Sequence, residues 1–220
     1  MTTHLPYRDR TDAGKRLGRE LAGRNLPGEI LVLGLPRGGV PVAAEVAKTL
    51  KAPLDVVIVR KLGVPWQPEL AMGALAGGSP PVLDGTIIRA LNISKSEVDA
   101  AIARETAEIA RREKAYRAGH PAPEVQGKTV ILVDDGVATG STMEAGLRSL
   151  RGSHPGRLVV AIPVASSEAC RLLAEEADDL VCLATPDHFE AVGQWYEDFT
   201  QVTDEEVRQL LKQRGGVLCA

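Results

Sequence analysis

The succession of segments predicts an α/β fold, a parallel β-sheet with helices on both faces. Three observations carry that expectation. Short runs of β-prone apolar residues at 30–34, 54–59, 127–133, 156–164 and 180–183 alternate with stretches of helical periodicity. The runs are continuously apolar, as at Ile30-Leu31-Val32-Leu33, which is how strands buried on both faces read. A helical stretch lies between strands, and parallel neighbours need such a crossover.

In chain order, residues 8–23 read as an amphipathic helix, with Ala13, Leu17 and Leu21 at i, i+4 and i+8 and Gly23 as its stop, and it is expected to pack across the sheet. A strand at 30–34, a helix at 40–51 and a strand at 54–59 form a βαβ unit. Residues 60–81 are rich in Gly and Pro with little periodicity, which predicts a long loop that is mobile when empty. After a short apolar segment at 86–88 comes a charged helix at 94–117, opened by a Ser94/Glu97 capping box. Its thin stripe of Val98, Ile102, Ile109 and Ala110 predicts a solvated helix resting on the domain. A strand at 127–133, a helix at 143–150, a strand at 156–164, a helix at 167–177 and a strand at 180–183 complete the alternation. Thr203 with Glu206 caps a closing helix at 204–213.

Length and composition narrow the function. At 220 residues and 44% hydrophobic, the chain is expected to form one domain, its core at about 26–183 and a smaller C-terminal part at 184–220. A net charge of −3 without a basic cluster gives nucleic acid no electrostatic footing. Cys170, Cys182 and Cys219 form no Cys-x-x-Cys pair, which argues against a zinc site or a disulfide framework, and the four histidines show no metal-ligand spacing. The polar start of the chain and the shortness of its longest apolar stretch, 158–165, predict a cytoplasmic protein with no membrane partner.

The segment from Val130 to Met143, Val-Ile-Leu-Val-Asp-Asp-Gly-Val-Ala-Thr-Gly-Ser-Thr-Met, is the most informative in the chain. A strand runs into two carboxylates, then a turn of Gly and hydroxyl residues, then a helix. Backbone N–H groups at a helix start, with the hydroxyls of Thr139, Ser141 and Thr142, make a cradle for a phosphate dianion. Asp134 and Asp135 would repel that phosphate; they suit ribose hydroxyls or a hydrated Mg²⁺. A sugar between a terminal phosphate and a metal is implied. A Walker A loop is excluded, because it needs Lys before Ser/Thr and Gly140 stands before Ser141.

Four hydrophobics, two acids, a variable stretch and Thr-Gly-x-Thr resemble the binding motif of the type I phosphoribosyltransferases, which hold 5-phosphoribosyl-1-pyrophosphate (PRPP). The resemblance implies that Asp134 and Asp135 contact the ribose, directly or through metal-bound water, and that Gly136, Val137, Ala138, Thr139, Gly140, Ser141 and Thr142 hold the 5-phosphate. Leu35-Pro36-Arg37-Gly38-Gly39, where the first strand gives way to a helix, resembles the family's short pyrophosphate loop, with Arg37 as a forked cation and Gly38 and Gly39 letting N–H groups approach a polyanion. Loops at the carboxyl ends of the strands should converge on one crevice. By location alone, Arg60 and Lys61 fall in the family's mobile catalytic loop. Phe189, Trp195, Tyr196 and Phe199 lie close together near the C-terminus, as the family's small hood over the base or as an aromatic plug; the plug is the simpler reading.

The implied function is transfer of the phosphoribosyl group from PRPP to a nitrogen acceptor, with Mg²⁺ as cofactor and release of pyrophosphate. A homodimer is compatible with this. The alternative is a regulatory protein that senses PRPP or a nucleotide without turnover, although no extra domain or basic face supports it; a hydrolase acting on a phosphorylated ribose would need only water as acceptor.

Overall fold

The computed structural model describes residues 5–117 and 120–212. Five parallel strands, β1 (Ile30–Gly34), β2 (Leu54–Val56), β6 (Thr129–Val133), β7 (Arg157–Val164) and β8 (Asp179–Ala184), form one sheet in the order β2-β1-β6-β7-β8. A second sheet holds the antiparallel strands β3 (Val59–Val64), β4 (Gln67–Ala76) and β5 (Val82–Leu83). Helices cover both faces of the main sheet. On one side α1 (Arg10–Ala22) and α2 (Gly39–Leu50) bury Leu17, Leu21, Val42 and Val46 against Val32, Ile131 and Val159. On the other, α5 (Ser141–Arg151) and α6 (Ser167–Glu176) bury Met143, Leu147, Leu150 and Leu173 against Leu33, Leu132 and Val160. The sheet's alternate side chains thus feed two separate cores.

Small residues bring α1 onto α2. A Cβ on Gly14 would lie 2.7 Å from the Val42 carbonyl oxygen, and one on Gly18 would lie 2.7 Å from Thr49 Oγ1. Asp9 caps α1 by accepting from the Asp12 N–H at 2.7 Å, and Gly23 closes it.

Two expectations are corrected around the second strand. It ends at Val56 and not at 59, because Val57 and Ile58 leave the ladder and sink into different cores. Residues 60–81 are then not an aperiodic loop, since most of them belong to the hairpin of β3 and β4. The hairpin carries register shifts at Leu62, Gly63 and Val64, where Gly63 packs so tightly on Pro68 that a Cβ would sit 2.5 Å from the Pro68 carbonyl oxygen. A bulge breaks the period-2 pattern on which strand recognition depends, and Gly with Pro obscures the rest.

The apolar segment at 86–88 lies in a short helix, α3 (Gly85–Ala90), capped by Asp84. The charged helix α4 (Lys95–Arg117) starts from the expected box, with Ser94 N–H donating to Glu97 at 2.8 Å and Glu97 N–H to Ser94 Oγ at 3.3 Å. It is more than a solvated rest. Val98, Ala101, Ile109 and Tyr116 share a core with Leu62, Val64 and Met72 of the hairpin. At its end Arg117 is buried between Asp55, 3.0 Å away, and Glu113, 2.7 Å away, which ties α4 to β2. The closing helix α7 (Asp204–Lys212) adds Val207 to the same core; residue 213, expected to end it, lies outside the described residues.

Candidate functional site

The strand order fixes where a ligand goes. β1 lies between β2 and β6, the helices after β1 and β6 cover opposite faces, and a crevice opens between the carboxyl ends of these two strands. Gly34 pairs with Val133, so both loops leave the sheet at one level. They then touch. A Cβ on Gly38 would collide with Asp135 Oδ2, and one on Gly39 would fall 2.8 Å from Asp134 Cα. The two glycines are therefore required for the close approach of loop 35–39 to the acids, a reason additional to any contact with an anion.

The helices that start at this crevice have no side-chain cap. α2 has Gly38 and α5 has Gly140 at its cap position, neither giving a side-chain cap, whereas α1, α3 and α6 are capped by Asp9, Asp84 and Ser166. First-turn N–H groups have no partner within a helix, and those of α5 face the cleft, whereas at α2 the Gly39 and Val40 N–H groups donate to the Leu35 and Arg37 carbonyls at 3.0 and 3.2 Å and Pro41 has none. Gly140 has φ +82°, a left-handed conformation that favours Gly. The Thr139 and Ser141 hydroxyls lie 3.3 Å apart, and Lys61 Nζ donates to Ser141 Oγ at 2.8 Å. A cation, hydroxyls and bare N–H groups thus meet at the start of α5. The loop below is braced from β7 and α6: Val137 N–H donates to the Val164 carbonyl, and Ser166 Oγ donates to the Ala138 carbonyl at 2.6 Å.

Asp134 and Asp135 differ. Asp135 is buried, accepts from Arg10 Nε at 2.7 Å, and its carbonyl accepts from the Tyr196 hydroxyl. Asp134 is half-buried, accepts from the Asp135 N–H at 2.9 Å, and no cation among the described residues pairs with it. Burial first and the Asp135 charge second push its carboxyl well above the usual carboxylate range. An unpaired carboxylate beside a neutralised one is a site that a divalent cation or a sugar hydroxyl would relieve. The oxygen-only donors fit a hard cation that takes its remaining ligands from substrate and water. Among the described residues no group of three or more His, Cys, Asp or Glu could hold a metal on its own.

Arg37 is exposed at the rim of a cavity of about 340 Å³, lined also by Pro36, Arg111, Arg112, Tyr116 and Asp204. The expected lid pair separates. Lys61 reaches the α5 loop, whereas Arg60 turns to α4, where Nε bonds Glu105 at 2.8 Å. Both line a cavity of about 650 Å³ with Arg104 and Thr142.

The aromatic cluster packs as a plug. Tyr7 and Tyr196 are buried with ring centroids 5.4 Å apart, and Tyr7 donates to the Pro163 carbonyl at 2.7 Å. The plug reaches the crevice all the same, because Val192 fills the space where a Gly136 Cβ would be.

Arg10 was not legible as a site residue. Its guanidinium joins Asp135, the Thr200 carbonyl at 2.8 Å and the Phe199 ring at 3.9 Å, so it pins the C-terminal segment to the acid pair. One signal was available: a cation in the first turn of a helix opposes the macrodipole and needs another use.

A family model for the phosphoribosyl transferase domain matches residues 12–200. Two Mycobacterium tuberculosis proteins, of strains CDC 1551 / Oshkosh and ATCC 25618 / H37Rv and provisionally named phosphoribosyl transferases, are each 45% identical over 202 residues, 91% of this chain. The chain spans 45% of the length of these relatives. The crystal structure of TT1426 from Thermus thermophilus superposes with a TM-score of 0.87 at 44% identity, covering 96% of this chain and 99% of that one.

Proposed function

The chain belongs to the phosphoribosyl transferase domain family, and on that premise we propose that it transfers the 5-phosphoribosyl group of PRPP to a nitrogen acceptor, releasing pyrophosphate with the help of Mg²⁺. The observation that carries the reading is the convergence of the acid pair, the bare start of α5 and the Arg37 loop on one switch-point crevice.

In this reading the 5-phosphate accepts from the first-turn N–H groups of α5 and from the hydroxyls of Thr139, Ser141 and Thr142, with the Lys61 ammonium beside Ser141. Asp134 and Asp135 hold the ribose hydroxyls and place negative charge near C1, where positive charge develops as the bond to the leaving group lengthens. Arg37, exposed on the loop before α2, receives the departing diphosphate. Mg²⁺, held from the protein side by Asp134 and Asp135 directly or through water, would supply further charge to that leaving group. Arg10 neutralises Asp135 and leaves Asp134 as the acid open to ligand. Arg60, held by Glu105, acts in this scheme only if that pair opens.

The reading includes a cytoplasmic setting; among the described residues no helix is long and apolar enough to cross a membrane. A panel of nitrogen bases added to protein, PRPP and Mg²⁺, with pyrophosphate release followed, tests the proposal. Release that depends on one base supports transfer, and PRPP binding with no release for any base favours a sensor.

A further inference from the structure

α4 runs past both ends of the crevice. Near its middle, Arg104 and Glu105 line the 650 Å³ cavity with Lys61 and Thr142, beside the α5 phosphate loop. Two turns later, Arg111 and Arg112 line the 340 Å³ cavity with Arg37. Arg104 and Arg111 are seven residues apart, which returns a helix to nearly the same face about 10 Å further along its axis. One rigid element therefore presents guanidinium groups at two stations, each shared with a cation from another part of the fold: Lys61 at the first and Arg37 at the second.

The carboxylates on α4 fit this arrangement. Glu105 accepts from Arg60 at 2.8 Å and Arg104 at 3.1 Å, and Glu108 accepts from Arg111 and Arg112 at 2.8 and 2.7 Å. Each acid holds two guanidinium groups, and even with Asp204 lining the second cavity its three arginines, Arg37, Arg111 and Arg112, outnumber the two carboxylates, so each station keeps an excess of positive charge. Arg104 and Arg111 remain exposed at 65% and 68%, free to turn toward an incoming anion. The Glu108 pairs are exposed and contribute little to stability, and Arg104 can leave the buried Glu105 to Arg60, so ligand phosphates can compete for these guanidinium groups.

We infer that α4 is a second wall of the ligand site, a two-ended anion clamp for a pentose phosphorylated at both ends: Arg104 serves the 5-phosphate and Arg111 with Arg112 serves the diphosphate. The inference rests on the proposed PRPP reading and adds residues that the family motifs do not contain. Arg37 alone leaves the diphosphate with one guanidinium, and α4 supplies two more in the same cavity.

Calorimetry on the full chain with Mg²⁺ tests it, using PRPP, ribose 5-phosphate and inorganic pyrophosphate as probes. Arg104→Gln should weaken ribose 5-phosphate at least about tenfold and leave pyrophosphate nearly unchanged, whereas Arg111→Gln with Arg112→Gln should do the reverse, because a hydrogen bond to a charged group contributes about 1.5–3 kcal/mol. PRPP should weaken about tenfold in both variants, and this decides the matter if the fragments bind too weakly to measure. Equal losses for both fragments, or unchanged PRPP affinity in either variant with wild-type binding intact, overturns the clamp and leaves the proposed function standing. Absence of PRPP binding by the wild type overturns both. Unchanged melting temperatures confirm that the variants are folded, and Arg112→Lys, which keeps the charge, should recover part of the pyrophosphate affinity.

Discussion

Replacing Arg10 by Met removes the cation that Asp135 depends on. The pair is 2.7 Å apart with side chains 11% and 12% exposed, and Asp135 stands directly beside Asp134. Removing one partner of a fully buried pair costs about 3–5 kcal/mol, because the remaining charge is left uncompensated. Residual exposure of about a tenth puts this case at the lower end, about 3 kcal/mol. For a chain of this size each kcal/mol lowers the melting temperature by about 2–4 °C, so a fall of about 6–12 °C is expected at neutral pH. Arg10 also bonds the Thr200 carbonyl and covers Phe199, so part of the loss would come from the undocked C-terminal segment. A double-mutant cycle with Asp135→Asn separates the two, since removing both members leaves neither half of that pair uncompensated. The double variant should be more stable than the sum of the single losses predicts, by about 1.5 kcal/mol or more, read from urea midpoints. Additive losses within about 0.5 kcal/mol, or a fall of under about 2 °C for Arg10→Met, would show that Arg10 does not hold the acid pair.

Lys61→Met should weaken ribose 5-phosphate binding about tenfold, as loss of a charge-assisted contact beside Ser141, with melting temperature little changed; unaltered affinity in calorimetry would remove Lys61 from the phosphate cradle. Gly39→Ala should fail to fold or lose several kcal/mol, because its Cβ would meet the Val133 carbonyl oxygen at 2.7 Å and Asp134 Cα at 2.8 Å, and backbone cannot step aside. All three tyrosines are shifted up: burial and then the bond to Asp204 lift Tyr116 to about 12, and burial lifts Tyr7 and Tyr196 further. The stability these phenols contribute is complete below pH 10, where unfolded tyrosine is neutral, and is lost as pH rises from there through 12. Phenolate absorbance should therefore be absent from the folded protein at pH 10.5, and a one-third step centred near pH 10 would contradict this. The exposed Ala138 stands before Thr139-Gly140, where the 6-oxopurine members of the family resembled carry an acid. Hypoxanthine and guanine should be poor acceptors, below the usual enzyme kcat/KM of about 10⁴ M⁻¹s⁻¹, and values above that would show that another group moves the proton.

The main sheet and its helices were legible because each element has one strong period and clear ends. Ile30–Gly34 was read at its observed bounds, and Ser94 and Thr203 announce helices by cap chemistry. The acid pair and the Arg37 loop were legible as neighbours because their close approach demands glycine at Gly38 and Gly39. The hairpin was hidden by its bulge at Gly63 and by the prolines around Trp66. Arg10 and the arginines of α4 were hidden for another reason. Their placement depends on segments far apart in sequence, as in the Arg10–Asp135 pair or the cavity that Arg37 and Arg111 both line, and local pattern carries no record of it.

The central claim is that the acid pair and the α5 loop bind PRPP with Mg²⁺, and calorimetry comparing the wild type with Asp134→Asn tests it most directly. The substitution removes a carboxylate that burial and Asp135 already penalise, so the fold should be as stable as before or more so. The account predicts PRPP binding that requires Mg²⁺ in the wild type and is at least about tenfold weaker in the variant, the loss expected for one charged contact. Equal affinities in the two proteins, or binding indifferent to Mg²⁺, would contradict it.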